Sequence, residues 1–197
     1  MLICYELAKL SSLNSKKVSL LIVFTALTVF LNLSPIKIPA PYAPFLIYQI
    51  WEIPIVAVSI LYGLLLGSSV TVLNTLVLFV VYPGALPTGP IYNMIAVLSM
   101  LIGVYTAGIL TNRIRWFKGS YMIIALTLLG AVLRVIVMSL VNALCLPLPP
   151  PIGFGIPSDV AIGLLPLIGI FNASIVLYTV PLGFVLMKAI RDRVNFL

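Results

Sequence analysis

The chain has 197 residues, of which 62% are hydrophobic and 8% are charged, and it carries 11 Lys and Arg against 4 Asp and Glu. Soluble globular domains contain about 45–50% apolar and about 25% charged residues, so this composition excludes a water-soluble domain and indicates an integral membrane protein. The sequence has no His, and Cys4 and Cys145 lie far apart. His-based catalysis, a CxxC redox motif, a disulfide framework and most zinc sites are therefore excluded, and no metal or cofactor is expected.

The apolar runs predict an all-α membrane protein, a bundle of six transmembrane helices. A spanning helix needs about 20 apolar residues, and segments rich in Pro, Gly or basic residues separate the runs. We expect Gly67 and Ser68 to form the turn between the second and third runs; the alternative is five spans, with 50–82 as one helix. Six is preferred because 50–82 is too long for one helix without extreme tilt. The runs are 18–34, 50–66, 68–82, 91–110, 120–146 and 159–187.

Basic residues mark one side of the predicted bundle. Nine of the 11 precede the first run, join the fourth to the fifth, or follow the sixth: Lys9, Lys16, Lys17, Arg113, Arg115, Lys118, Lys188, Arg191 and Arg193. The opposite loops contain only Lys37. By the positive-inside rule both termini lie in the cytoplasm, and the basic excess does not indicate nucleic-acid binding. The chain thus divides into a cytoplasmic N-terminal segment (1–17), a six-helix domain (18–190) and a basic C-terminal tail (191–197) of a cell-membrane protein.

Prolines mark the opposite, outward side. Thirteen of the 15 prolines lie in the segments 35–54, 83–90 and 146–158. Proline fixes φ and donates no backbone hydrogen bond, so we expect stiff loops that do not form sheet throughout. Such loops suit the rim of a preformed pocket, although prolines that merely end helices are the alternative.

Several polar residues lie inside the apolar runs, where each needs a partner or a function. Asn74, Asn142 and Asn172 fall in the third, fifth and sixth runs. They either join helices or contact a ligand, since an amide both donates and accepts. Arg134 shares a helical face with Met138 and Asn142. It binds a ligand anion, pairs with carbonyl groups or supports the bundle, and no acid is obviously placed to neutralise it.

An aromatic residue recurs at every third position before the second run. Tyr42, Phe45, Tyr48 and Trp51 form this series, which ends at Glu52. The pattern is typical of an aromatic belt at the membrane interface. It also suits an aromatic wall against which a planar ligand stacks.

These residues together resemble the substrate-binding S component of energy-coupling-factor (ECF) vitamin transporters, most closely the riboflavin-type branch. Asn74 matches a family asparagine of helix three. The similarity extends over about 18–190 and rests on the following segments: Ile50-Trp51-Glu52-Ile53-Pro54 with Gly63 and Gly67, Arg134-Val-Ile-Val-Met138-Ser-Leu-Val-Asn142, Leu146-Pro147-Leu148, Leu164-Leu-Pro166 and Phe171-Asn172.

The resemblance implies a vitamin-uptake subunit that binds riboflavin or a related flavin from outside. Asn142 and Asn172 would contact the flavin, Asn74 would belong to the same site, and Tyr48, Trp51 and Met138 would supply apolar contacts. The segments 35–49 and 146–158 would roof the ligand. Where the family has lysines, this chain has Ile175 and Leu73, which leaves the identity of the vitamin open.

The resemblance also implies partners. The loaded subunit would dock through small residues of helix one on a separate transmembrane T subunit that is driven by two ATPases. The family's small-xxx-small pattern is half present, as Ala26 with Ile22 four residues before it. The sequence has no G-x-x-x-x-G-K-[ST] motif, so ATP hydrolysis would belong to the partners.

Three other functions remain as alternatives. One is an S component for a different vitamin or small planar ligand, and another is a ligand-free structural subunit of the membrane. The third is an enzyme that acts on lipid, for which Glu52 and Asp159 would have to meet on the outer side, because Glu6 and Asp192 belong to the cytoplasmic ends. An enzyme is not expected.

Overall fold

A computed structural model describes residues 15–81, 86–113 and 120–193. Most of the predicted N-terminal segment, the end of the basic tail, and the basic residues Lys9, Arg115 and Lys118 lie outside these ranges. The described residues form six helices and one β-hairpin in the following order: α1 (Ser15–Leu33), β1 (Ile38–Ala40), β2 (Ala43–Tyr48), α2 (Glu52–Tyr62), α3 (Leu64–Val81), α4 (Gly89–Arg113), α5 (Ser120–Cys145) and α6 (Ser158–Arg193).

Four of the described helices are long and apolar enough to cross a membrane, namely Leu64–Val81, Gly89–Thr111, Tyr121–Cys145 and Ser158–Arg193. Large apolar side chains such as Phe30 and Leu144 face outwards at 70% and 71% exposure, as expected where lipid is the solvent. The chain is therefore a multi-pass membrane protein. The apolar stretches Lys17–Leu33 and Glu52–Tyr62 are shorter, so six spans and cytoplasmic termini stay predictions.

The chain breaks between α2 and α3 at Gly63, not at Gly67 and Ser68 as the apolar runs predict. Gly63 has φ 96°, a conformation that glycine adopts without steric cost. Gly67 lies inside α3, and a Cβ atom there would be 2.6 Å from the Cβ of Ser59. Residues eight apart lie about 12 Å from each other along a continuous helix. The helices therefore fold against one another, and 50–82 is not one helix.

The helices that carry the site pack closely together. The helix α5 lies between α4 and α6, α6 also contacts α2, and α1 covers α3 and part of α2. A Cβ atom on Gly103 of α4 would lie 2.5 Å from the carbonyl oxygen of Leu129 in α5. Such close backbone approach through a small residue is usual between helices in membranes, and it fixes α4 against α5.

The segment between α1 and α2 contains a short antiparallel hairpin, which corrects the all-α prediction. Its strands pair Ile38 with Tyr48 and Pro39 with Ile47, with an irregularity after Pro39. Proline is tolerated here because neither strand of a two-stranded sheet has a second neighbour that needs its missing N–H group. The aromatic and β-branched residues of β2 favour a strand. The prolines of the same segment disfavour one, so the sequence pattern does not predict the hairpin.

Candidate functional site

A cavity of about 630 Å³ lies at the end of the bundle that carries the hairpin. Sites for small molecules usually measure about 300–1,000 Å³ and combine apolar walls with a few polar groups. The cavity follows this pattern, and α1 and α3 contribute no described residue to its wall. Its described lining consists of Phe45, Leu46, Ile47, Gln49, Trp51, Glu52, Leu86, Gly89, Tyr92, Asn93, Ala96, Arg134, Met138, Asn142, Leu146, Phe154, Ile156, Leu164, Ile168, Phe171, Asn172 and Ile175.

An ion pair forms the polar part of the cavity floor. The Nη1 of Arg134 donates to Oε2 of Glu52 at 2.5 Å, and Nη2 donates to Oε1 at 3.0 Å. Both side chains are nearly buried, at 4% and 6% exposure. Glu52 is the first residue of α2, where the positive end of the helix dipole favours a carboxylate. The expectation that no acid neutralises Arg134 is thus wrong. Asp159 is exposed and lies outside the described cavity lining.

Asn172 holds the guanidinium from the other side. Its Oδ1 accepts a hydrogen bond from Nε of Arg134 at 2.9 Å, while its Nδ2 donates to the carbonyl oxygen of Ile168 at 2.9 Å. The Sδ atom of Met100 lies 3.8 Å from Nη1. The one guanidinium therefore connects α5 with α2, α4 and α6, and the orientation of Asn172 is fixed by both of its bonds.

Asn142 lies on the same face of α5 as Arg134, about 12 Å nearer the C-terminal end of the helix. Its Nδ2 donates to the carbonyl oxygen of Met138 at 2.7 Å. No described residue donates to its Oδ1, although the side chain is buried and lines the cavity. Asn142 thus presents an acceptor to the cavity, with the side chain of Met138 between it and the ion pair.

The hairpin and the start of α2 provide aromatic groups to the cavity wall. Phe45 and Ile47 line the cavity from β2, and Trp51 lines it from a buried position before α2. The series with period three does not stay together at the cavity. Tyr48, at the end of β2, and Tyr42, in the turn before it, lie outside the described cavity lining.

Those two tyrosines attach the hairpin to α6. Their hydroxyl oxygens are 2.7 Å apart, and that of Tyr48 is 2.7 Å from Oγ of Ser174. The ring of Tyr48 also packs on that of Phe171, with centroids 5.0 Å apart. Burial and the hydrogen bond with Tyr48 raise the pKa of Tyr42. The hairpin is therefore anchored on α6 through a chain of hydroxyl groups.

The loop between α5 and α6 forms the opposite rim. Phe154 and Ile156 line the cavity from this loop. Thr88 Oγ1 donates to the carbonyl oxygen of Pro151 at 2.6 Å, and the Tyr92 hydroxyl donates to that of Ile152 at 2.8 Å. These bonds fix the proline-rich loop on the first turn of α4, so the rim is held in place.

The residues singled out in the sequence fall into three groups. Trp51, Met138, Asn142 and Asn172 line the cavity together, whereas Tyr48 borders a smaller space of about 230 Å³. Asn74 lies elsewhere: it is buried between α3 and α1.

The contact that Asn74 makes there is a hydrogen bond with Asn32, whose Nδ2 donates to Oδ1 of Asn74 at 3.5 Å. Ile22 and Ala26 lie on the exposed face of α1. Ile175 lines the cavity, and Leu73 is exposed on α3.

Some cavity residues were not predicted from the sequence. Gln49 lies before α2, outside the apolar runs, so hydropathy does not select it. Tyr92 and Asn93 lie near the start of α4 and inside the fourth apolar run, so Asn93 carries the same signal as the other asparagines and was missed. The pair of Glu52 and Arg134 has a signal, because a charged residue in so apolar a chain requires a partner of opposite charge. Among the described residues, no group of three or more His, Cys, Asp or Glu is arranged to hold a metal ion.

No family model and no curated protein matches the chain. A solved structure, the S component of a bacterial ECF transporter, is similar over 92% of this chain and 98% of that chain, with a TM-score of 0.71 and 20% sequence identity. The chain therefore has the fold of an ECF S component. The resemblance noted in the sequence is confirmed at this level.

Proposed function

We propose that the chain is the substrate-binding subunit of an ECF-type vitamin uptake transporter in the cell membrane. The cavity binds the vitamin, and riboflavin or a related flavin is the first candidate. The observation that carries this proposal is a cavity of about 630 Å³ with aromatic walls and a polar floor, in a chain with the fold of an S component. ATP hydrolysis belongs to partner subunits.

The ligand contacts follow from the free hydrogen-bonding positions. Oδ1 of Asn142 accepts from an N–H group of the ligand, because no described residue donates to it. Asn172 has both of its polar atoms engaged, and it contacts the ligand through its second N–H and its remaining lone pair. Trp51, Phe45 and Met138 supply the apolar contacts for a planar ring.

Two of the residues predicted from the sequence take other roles in this proposal. Tyr48 holds the hairpin on α6 through Ser174 and thereby positions the wall that contains Phe45. Asn74 joins α3 to α1 through Asn32 and is left out of the ligand contacts.

The proposed partners are a transmembrane T subunit and two ATPase subunits. The exposed face of α1, with Ile22 and Ala26, is the proposed docking surface for the T subunit. This face lies away from the cavity, since no described residue of α1 belongs to the cavity lining. Docking through α1 therefore leaves the ligand undisturbed.

A different uncharged vitamin is the second candidate. Ile175 gives the cavity an apolar surface where the riboflavin-type branch has a lysine. This position would suit a ligand that places an apolar edge against α6.

The test is an absorption spectrum of the protein purified in detergent from cells supplied with riboflavin. A bound flavin at a ratio near one to one supports the flavin proposal. A colourless protein that also fails to quench the fluorescence of added riboflavin refutes it. The same preparation is then analysed by mass spectrometry after denaturation, and another released vitamin in stoichiometric amount would identify the second candidate.

A further inference from the structure

We infer that Glu52 determines the charge specificity of the cavity: by neutralising Arg134 it restricts the site to uncharged ligands, so that a flavin binds as the free vitamin and its phosphate ester is rejected. This inference rests on the proposed function. It adds to that proposal a residue that determines specificity and the requirement that the ligand be uncharged.

The first observation is that the described lining of the cavity contains one positive and one negative group, and that these neutralise each other. Glu52 and Arg134 are the formally charged members of the described lining, and their fork-to-fork contact leaves neither charge uncompensated. The residues just before Leu86 in the sequence, Tyr82 to Ala85, carry no charge either. A charged ligand group therefore finds no free counter-charge among these residues.

The second observation is how completely the guanidinium is engaged. Nε donates to Asn172, Nη1 donates to Glu52 and faces the sulfur of Met100, and Nη2 donates to Glu52. Of the five N–H groups of arginine, only one on Nη2 remains without an acceptor in the described residues. One N–H suffices for a carbonyl oxygen of a neutral ligand, but it does not provide the bidentate fork that binds phosphate.

The physical consequence concerns the cost of bringing a further charge into this site. An ion loses its hydration in a buried site and must recover the loss from a partner of opposite charge. Here that partner is already bound to Glu52, so an anion would have to displace a nearly buried carboxylate. Removing the carboxylate reverses the situation, because Arg134 then becomes a buried cation that lacks an anion.

The experiment compares riboflavin with riboflavin 5′-phosphate, which differ by the charged ester group. Affinities are measured by fluorescence quenching in the wild type, in Glu52→Gln and in Asp159→Asn. The Asp159 variant makes the same charge change at an exposed position outside the described cavity lining, so it reports the effect of net charge alone. Thermal unfolding establishes that each variant is folded.

The wild type is expected to prefer riboflavin at least about tenfold, which is the effect of one charge-assisted hydrogen bond. Glu52→Gln should reduce this preference about tenfold or more, and Asp159→Asn should leave it unchanged. The same two ligands are compared in every variant. Any effect of the size of the phosphate group on affinity is therefore the same in each, and it cancels when the preferences of the variants are compared. A wild type that binds both flavins equally overturns the inference, and so does an unchanged preference in Glu52→Gln.

A second measurement needs no flavin. In Glu52→Ala, acetate should occupy the position of the lost carboxylate and raise the unfolding temperature relative to an equal concentration of chloride. The wild type should show no such difference. If neither flavin binds, the flavin proposal fails, while the acetate experiment still tests whether Glu52 neutralises Arg134. Equal unfolding temperatures of Glu52→Ala in the two salts would overturn the inference on its own.

Discussion

Replacing Arg134 by methionine removes one partner of the ion pair at the cavity floor and keeps a side chain of similar length. Glu52 then stays nearly buried with no cation beside it, and Oδ1 of Asn172 loses its donor. Breaking a buried ion pair in this way costs about 3–5 kcal/mol, because the remaining charge has neither water nor a partner. We expect the free energy of unfolding to fall by about that amount.

The double variant Glu52→Gln with Arg134→Met separates the charge from the loss of packing. It removes both charges and leaves a neutral amide in place of the carboxylate. Replacing a whole buried pair is often neutral, so the double variant should regain about 2 kcal/mol or more of the stability lost in Arg134→Met. Lys188→Met is the matched control, since Lys188 is exposed near the end of α6 and its loss should change stability by less than about 0.5 kcal/mol.

The assay is unfolding in a mild detergent, by heat and by titration with a denaturing detergent, followed by circular dichroism. The ranking that we expect, from most to least stable, is Lys188→Met, the double variant and Arg134→Met. If Arg134→Met were as stable as Lys188→Met, or if the double variant were no more stable than Arg134→Met, the electrostatic account of the cavity floor would be refuted.

Three further predictions concern the cavity, the packing and the hairpin. Asn142→Leu should weaken ligand binding by about 1–3 kcal/mol, because a ligand donor is left unpaired, whereas Asn74→Leu, outside the cavity, should leave the affinity of the folded protein unchanged; titration of riboflavin fluorescence measures both. Gly103→Ala should lower stability by about 1–3 kcal/mol because its Cβ has no room against α5, and Gly163→Ala, which faces open space, should not; an equal effect of the two would contradict the proposed helix contact. The pKa of Tyr42 is raised in the folded protein. Its contribution to stability is therefore present below pH about 10 and is lost as the pH rises through the folded-state pKa. Thermal unfolding between pH 8 and 11 should show this loss of stability in the wild type and not in Tyr42→Phe.

Hydropathy predicts the helices well because lipid imposes apolar surfaces on every spanning element. It predicts their ends less well: the break at Gly63 depends on backbone conformation, and two glycines in one short stretch offer equal signals. The hairpin is missed for a different reason. Its prolines argue against a sheet, and only the pairing of two short segments makes Pro39 acceptable. Fold class was therefore predictable, whereas the local geometry of the rim was not.

The site was predictable to the extent that polar residues in apolar helices are conspicuous. Asn142 and Asn172 were selected in this way and line the cavity, but Asn74 has the same chemistry and contacts Asn32 instead. Composition cannot distinguish these cases, because the helix that a side chain faces is a property of packing. The contact between Glu52 and Arg134 joins residues that are distant in the sequence, and it emerges only when α2 is packed against α6 and α5.

The absence of α1 and α3 from the described cavity lining has a consequence for how such a sequence can change. Substitutions that alter ligand chemistry fall on the hairpin, α2, α4, α5, α6 and the segments just before α2, α4 and α6, whereas the proposed docking face lies on α1. The two properties occupy different stretches of the chain. Selection can therefore replace the ligand while the partner is retained, or replace the partner while the ligand is retained, and the sequences of the two regions are free to diverge at different rates.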